Sequence, residues 1–104
     1  MTNELIRQLE ECKKQATDVE VFFPCNGNKN YFHTDQITFS GMNYQEAIEY
    51  IKKNELELLD VEWELMSEDE YNHTICANCD SFDFADVYGD SEAKVLCILL
   101  PRCS

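Results

Sequence analysis

The run KVLCILL, from Lys94 to Leu100, is the longest apolar stretch of this chain, and Pro101 ends it. From Val95 onward no charged side chain interrupts the run, and its length is that of a β-strand. An unbroken apolar run of this length is typical of a strand in the interior of a sheet. It is far shorter than the roughly 20 apolar residues that a membrane-spanning helix requires. We therefore predict an interior strand here.

Two segments nearer the N-terminus predict a hairpin. VEVFF (Val19–Phe23) reads as a short strand that Pro24 ends. The pair Asn26-Gly27 then provides a strong turn signal. YFHTDQITF (Tyr31–Phe39) is the predicted second arm of the hairpin.

Two other segments have the periodicity of amphipathic helices. The first covers residues 3–17. In the second, SGMNYQEAIEYIKKN, Asn43 can cap the free amides, Glu46 completes a capping-box pattern, and the helix is expected to end near Asn54. The predicted buried stripes are Leu5, Ile6, Leu9, Cys12 and Ala16 in the first helix, and Tyr44, Ala47, Ile48 and Ile51 in the second.

The segment ELELLDVEWELM (Glu55–Met66) predicts a further strand, because apolar and acidic residues alternate within it with a period of two. On this interpretation the apolar set packs inward and the carboxylates face water. The inward set is Leu59, Val61, Trp63 and Leu65, and the outward set is Asp60, Glu62 and Glu64.

A chain of 104 residues is long enough for one modest core, and no repeat or low-complexity linker divides it. The order of elements predicts an α+β fold: an antiparallel sheet of about four to five strands with two helices packed on one face. We expect residues 1–104 to form a single compact acidic domain. Between residues 67 and 91, Ser67–Tyr71 is interpreted as an acidic turn, HTICANC as a short strand or a metal knuckle, and SFDFADVYGD as an extended segment or a helical turn.

The charge of the chain is strongly negative and unevenly distributed. It carries 21 acidic and eight basic residues, a formal net charge of −13, whereas a magnitude of about 2 to 8 suffices for solubility. Residues 1–53 hold eight acids and six bases, a balance of −2, while residues 54–104 hold 13 acids and two bases, a balance of −11. This asymmetry favours a surface shaped for a basic partner. High solubility alone is the alternative explanation.

The acidic strand suggests how such a surface could work. Alternate strand residues lie about 6.6 Å apart, so Asp60, Glu62 and Glu64 would form a row of charges that resembles successive phosphates. This row suits a Lys- and Arg-lined site in a nuclease or an RNA-guided effector, where it would compete with nucleic acid. No direct contact with nucleic acid or membrane is predicted. The predicted partner-binding residues are Asp60, Glu62, Glu64, Glu68, Asp69, Glu70, Asp83, Asp86 and Asp90.

In size and composition, the chain resembles two groups of small acidic inhibitors. One comprises phage-encoded anti-CRISPR and other anti-defence proteins, and the other comprises bacterial immunity proteins that block nuclease toxins. The resemblance covers no aligned motif and assigns no residue. It implies a non-enzymatic inhibitor in the cytoplasm of a bacterial or phage-infected cell. The N-terminus, MTNELIRQLEECKK, also lacks the pattern of a secretory signal.

The six cysteines are expected to be reduced, because no secretory signal accompanies them. The motif HTICANC spaces His73, Cys76 and Cys79 so that one knuckle could supply three ligands to Zn²⁺. Cys103 is the predicted fourth ligand, with Cys97 as the other candidate. This motif predicts the alternative function, a small zinc-stabilised protein-interaction module. A reduced, metal-free pair is the competing interpretation, and Cys97 would then be a core residue.

Catalytic motifs do not occur in this sequence. It contains no glycine-rich phosphate loop, nucleophile elbow or HExxH motif. The acidic series from Asp80 to Glu92 does not match the spacing of an EF-hand loop, and His33 stands alone in a predicted strand. We therefore predict that the protein is not an enzyme.

Overall fold

A computed structural model describes residues 2–24, 37–75 and 83–102 of the chain. Within these residues four strands form one sheet, and four helices pack against it. The helices are α1 (Thr2–Lys13), α2 (Tyr44–Lys53), α3 (Glu68–Thr74) and α4 (Phe84–Tyr88). The strands are β1 (Asp18–Pro24), β2 (Ile37–Phe39), β3 (Glu62–Met66) and β4 (Val95–Leu99), and their order in the sheet is β2-β1-β4-β3.

The apolar run is the interior strand that its composition predicts. All five residues of β4 are buried. The strand pairs with β1 in parallel and with β3 in antiparallel orientation, so that Ile98 lies between Val21 and Trp63. The sheet is therefore mixed, and the prediction of an antiparallel sheet is wrong in this respect. Apolar periodicity reports which side chains are buried, but it carries no information about the direction of a neighbouring strand.

Each face of the sheet carries its own apolar core. We call the side covered by α1 and α2 the first face, where Leu5, Leu9 and Ile51 pack with alternate strand residues such as Ile98. We call the opposite side, covered by α3 and α4, the second face. Its core consists of Phe22, Met66, Tyr71, Phe84, Tyr88, Ala93, Val95, Cys97 and Leu99.

Helices on both faces correct the expectation of helices on one face only. The helices α3 and α4 are short, and each is started by a local cap rather than by a visible apolar period. Ser67 and Glu70 form a capping box at α3, while Asp83 caps α4 and Gly89 ends it with a left-handed backbone. Seven- and five-residue helices are too short for the 3.6-residue pattern to stand out.

The two longer helices agree with their sequence patterns. Before α2, the Glu46 amide donates to Asn43 Oδ1 at 2.8 Å and the Asn43 amide donates to Glu46 Oε1 at 3.1 Å. Asn54 is the C-cap of this helix, as expected. The helix α1 ends at Lys13, earlier than predicted, and Ala16 still packs against the first-face core from the following turn.

The predicted hairpin is described in part. Ile37–Phe39 pairs antiparallel with β1, and Phe39 is the partner of Phe22. Their rings lie 4.9 Å apart between centroids. The predicted turn at Asn26-Gly27, together with Cys25, Tyr31 and His33, lies outside the described residues.

The acidic strand begins at Glu62, three residues after the predicted alternation starts at Leu59. Leu59 lies in a turn and is 89% exposed, so its assignment to the core is wrong. Asp60 closes this turn: its amide donates to the Glu57 carbonyl oxygen at 2.9 Å, and its Oδ2 accepts from the Glu57 amide at 2.9 Å. Local hydrogen bonding of Asp thus overrides the period-two pattern. Val61 is buried as predicted.

Within residues 2–24, 37–75 and 83–102, no helix combines the length and the apolar character needed to cross a membrane.

Candidate acidic interface

The helix α3 carries three of the predicted contact residues in its first turn. Glu68 is half-buried, whereas Asp69 and Glu70 are exposed. Carboxylates are favourable at this end of a helix, because its free amides are partly positive. Glu70 Oε1 accepts from the Ser67 amide at 3.3 Å and from the Ser67 hydroxyl at 3.0 Å. Glu70 therefore has a structural role at α3, while Asp69 presents its charge to solvent.

The segment around α4 repeats this division of roles. Asp83 Oδ1 accepts from the amides of Ala85 and Asp86, at 3.1 and 3.3 Å. Asp90 Oδ1 accepts from the Glu92 amide at 2.9 Å in the turn before β4. Asp83 and Asp90 thus stabilise the local backbone. Asp86 is exposed in the first turn of α4.

The predicted row of strand carboxylates is reduced in the structure. Asp60 lies in the turn before β3, and Glu62 is half-buried, so only Glu64 of the three is exposed. The reason is the second face, which Glu62 and Glu64 share with the fully buried Met66. The sequence pattern assumes that only one face of this strand is covered, but α3 and α4 cover part of the other.

Few cations lie close to these carboxylates. Among the described residues, ion pairs occur in α1 and at its end: Arg7 Nε lies 2.9 Å from Glu4 Oε2, and Lys14 Nζ, just after the helix, lies 3.2 Å from Glu11 Oε1. The hydrogen bond from Arg7 lowers the pKa of Glu4 to about 2. Over the residues that the structure describes, ion pairing is therefore confined to the half of the chain whose charges already nearly balance.

The two bases of the second half have other surroundings. Arg102 Nε donates to the Pro24 carbonyl oxygen at 2.8 Å, and its guanidinium lies 5.3 Å from the centre of the Phe23 ring. Lys94 lines an open surface cleft of about 370 Å³ with Ser67, Glu68, Asp69, Ser91 and Glu92. Lys94 forms no ion pair there with another described residue. In the described part of the chain, the carboxylates near α3 thus share a cleft with Lys94 but form no ion pair with it.

A buried polar cluster on the second face is not evident from the sequence. The hydroxyl groups of Tyr88 and Tyr71 are hydrogen-bonded at 3.0 Å. Burial raises the pKa of Glu20, although a hydrogen bond with Tyr88 opposes that shift. Burial also raises the pKa of Tyr88. The alternation of Asp18, Glu20 and Phe22 along β1 places Glu20 on this face, but only the tertiary packing brings α4 to it.

The predicted zinc ligands are mostly outside the described residues. His73 lies exposed near the end of α3, while Cys76, Cys79 and Cys103 are not among the described residues. No three His, Cys, Asp or Glu side chains within the described parts of the chain are grouped to hold a metal ion. Cys97 is fully buried in the second-face core, as expected for a core residue.

Comparison of the chain with models of protein families, with curated proteins and with solved structures gives no match.

Proposed function

We propose that this protein is a non-enzymatic inhibitor that occupies the basic nucleic-acid-binding surface of another protein. One observation carries the proposal: the second half of the chain exposes carboxylates that form no ion pair with a described Lys or Arg. Glu64, Asp69 and Asp86 are exposed on β3, α3 and α4, and each lacks an ion pair with a described residue. Such a field attracts a surface lined with cations.

The contact would combine two kinds of carboxylate. Glu64, Asp69 and Asp86 are exposed and take no part in the caps and turns described above, so they are the principal contacts. Glu68 and Glu62 are half-buried, and their charges add to the negative potential at the surface. The members with local structural roles, whose remaining oxygen can still accept from a partner, are Asp60, Glu70, Asp83 and Asp90.

The partner that this chemistry fits is a nucleic-acid-handling protein, such as a nuclease or a CRISPR effector. Its channel must bind a phosphate backbone and therefore holds Lys and Arg at close spacing. Carboxylates presented from a folded scaffold would bind the same cations and exclude the nucleic acid. The chain resembles phage anti-defence proteins and nuclease-immunity proteins in composition and size.

The test is a competition assay with a panel of purified nucleases and CRISPR effectors. The full chain should displace labelled nucleic acid from at least one of them. Its affinity should fall steeply between about 0.05 and 0.5 M salt, because the screening length shortens several-fold over that range. The triple variant Glu64→Lys, Asp69→Lys and Asp86→Lys should lose the competition and keep its circular dichroism spectrum.

A matched control separates the position of the charge from its total. Glu10, Glu11 and Glu49 are exposed on α1 and α2, and reversing these three changes the net charge by the same amount. The control should keep most of the binding. Equal loss in both triple variants would mean that net charge alone drives the effect. Competition that survives reversal of Glu64, Asp69 and Asp86 would disprove the proposed surface.

A further inference from the structure

The turn before β3 displays one apolar side chain amid acidic residues. Leu59 is 89% exposed, compared with 55% for Val87 and 53% for Phe39, the other large apolar residues that the described chain exposes. The ring of Phe39 also packs against Phe22. A single exposed apolar residue is ordinary on a protein surface. Leu59 differs from such a residue if an ordered backbone fixes it in this exposed position.

The surrounding residues hold it there. Leu56 and Val61 are buried in the first-face core, and Leu58 packs against that core. The two hydrogen bonds between Glu57 and Asp60, each of 2.9 Å, close the turn between these anchors. Leu59 is therefore presented by an ordered backbone with buried residues on both sides, and its ordering is achieved before any partner binds.

At the start of this turn, Glu55 occupies a position where glycine would be favoured. The Leu56 amide donates to the Ile51 carbonyl oxygen at 3.1 Å and the Glu55 amide donates to the Lys52 carbonyl oxygen at 3.3 Å, which is a Schellman ending of α2. Glu55 occupies its left-handed position with φ 51°. Glycine adopts this conformation at no steric cost. The chain thus carries an exposed Glu at a conformational cost, next to a second exposed acid, Glu57.

We propose that Leu59 is an apolar anchor for a basic protein partner, inserted into a small apolar pocket rimmed by Lys or Arg. The inference rests on the proposed function and adds to its carboxylates an apolar contact at the turn before β3. Charge complementarity selects this partner, since Glu55, Glu57 and Asp60 flank Leu59 in the chain and disfavour a rim of like charge. Apolar anchors at the centre of an interface supply much of its affinity, while the charged rim supplies orientation and rate.

The probe is a displayed library of random 16-residue peptides, selected against the full chain at low salt and then resynthesised. Enriched peptides should contain Lys or Arg around at least one large apolar residue. Leu59→Ser should weaken their dissociation constants by about tenfold to a hundredfold, the value of burying one leucine side chain. Val87→Ser is the matched control, and it should change them by less than about twofold. Both variants should keep the parental melting curve, because both side chains are exposed.

The outcomes distinguish the two proposals. Basic peptides whose binding depends on salt, but whose dissociation constants are unchanged by Leu59→Ser, would disprove the anchor role of Leu59. They would still be consistent with the acidic surface. Binding that needs Leu59 but not low salt would overturn the basic partner, and the proposed function with it. A selection that yields no peptide dependent on Leu59 would also overturn the inference. Dependence on both Leu59 and low salt would support both proposals.

Discussion

The hydroxyl groups of Tyr71 and Tyr88 are hydrogen-bonded at 3.0 Å, so α3 and α4 are joined within the core of the second face. The two rings also meet edge to face, with centroids 5.6 Å apart. Tyr71 is fully buried and Tyr88 nearly so. The position of α4 against the sheet, and with it the exposed Asp86, therefore depends on this pair.

Tyr88→Phe should lower the free energy of unfolding by about 1 kcal/mol or more, because the Tyr88 hydroxyl bonds with Tyr71 and Glu20 and one buried hydrogen bond has a net value of about 1 kcal/mol. Urea denaturation measures the change. Tyr44→Phe is the matched control, because the buried hydroxyl of Tyr44 meets no hydrogen-bond partner among the described residues. The control should be neutral or stabilising. If the two variants have equal stability, the hydrogen bonds of the Tyr88 hydroxyl contribute nothing.

Glu20 predicts a pH dependence whose sign follows from its environment. Burial raises its pKa in the folded protein above the ordinary value of 4.5, so folding favours the protonated form. Its contribution to stability is complete below the unfolded pKa and is lost as the pH rises through the folded pKa. Glu20→Gln should therefore be more stable than the parent at pH 7, and the difference should shrink towards pH 4. Thermal melts across this range provide the measurement, and a difference that grows on acidification would contradict the assignment.

Glu55→Gly should stabilise the protein by about 0.5–1 kcal/mol, because glycine removes the steric cost of the left-handed backbone, less its own entropy cost. Glu57→Gly removes the same side chain from a residue without a positive φ. It should destabilise the protein by about 0.5–1 kcal/mol. Chemical denaturation of both variants tests the pair. A destabilised Glu55→Gly protein would show that the Glu55 side chain makes a stabilising contact that outweighs the strain.

Asp83→Ala should cost about 1 kcal/mol of stability, because the first amides of α4 lose their N-cap acceptor. Asp86→Ala removes a neighbouring exposed carboxylate that caps no helix, and surface changes of this kind stay within about 0.5 kcal/mol. Denaturation curves of the two variants distinguish a carboxylate that stabilises the fold from one that can contact a partner without loss of stability. Similar values for both would remove the division of roles proposed for the interface.

The alternative of a zinc-stabilised module remains a prediction with its own test. If His73, Cys76, Cys79 and Cys103 hold a structural ion, protein purified without chelator should contain about one zinc per chain. Chelation should then lower the melting temperature, since metal binding contributes to folding. Metal analysis and melts with and without chelator provide the readout. A metal-free sample whose melting temperature is unchanged by the chelator would eliminate this function.

The elements that could be predicted from sequence are those specified by short-range signals. An unbroken apolar run marked β4, and the pairing of Asn43 with Glu46 marked the start of α2. Both signals act over a few residues and do not depend on the rest of the fold. The sequence predicted a turn where α3 begins and left a helical turn as one of two alternatives around α4, because a helix of five to seven residues shows too little of its period.

The candidate site was less accessible to sequence reasoning. Residue types predicted its charge, but Asp60 turned out to close a turn and Glu62 to be half-buried. Leu59 was assigned to the core by its place in an alternating pattern and is exposed instead. In each case a local hydrogen bond or a covering helix decided the outcome, and period-two alternation records neither.

The amino-acid sequence by itself determined the α+β class, the interior strand, the two longer helices and the negative charge of the second half. These follow from composition and from contacts between near neighbours. Only the tertiary structure decided the parallel pairing of β1 with β4, the covering of the second face and the display of Leu59. Strand direction and the exposure of a side chain depend on which distant segment packs beside it, and that information is distributed over the whole chain.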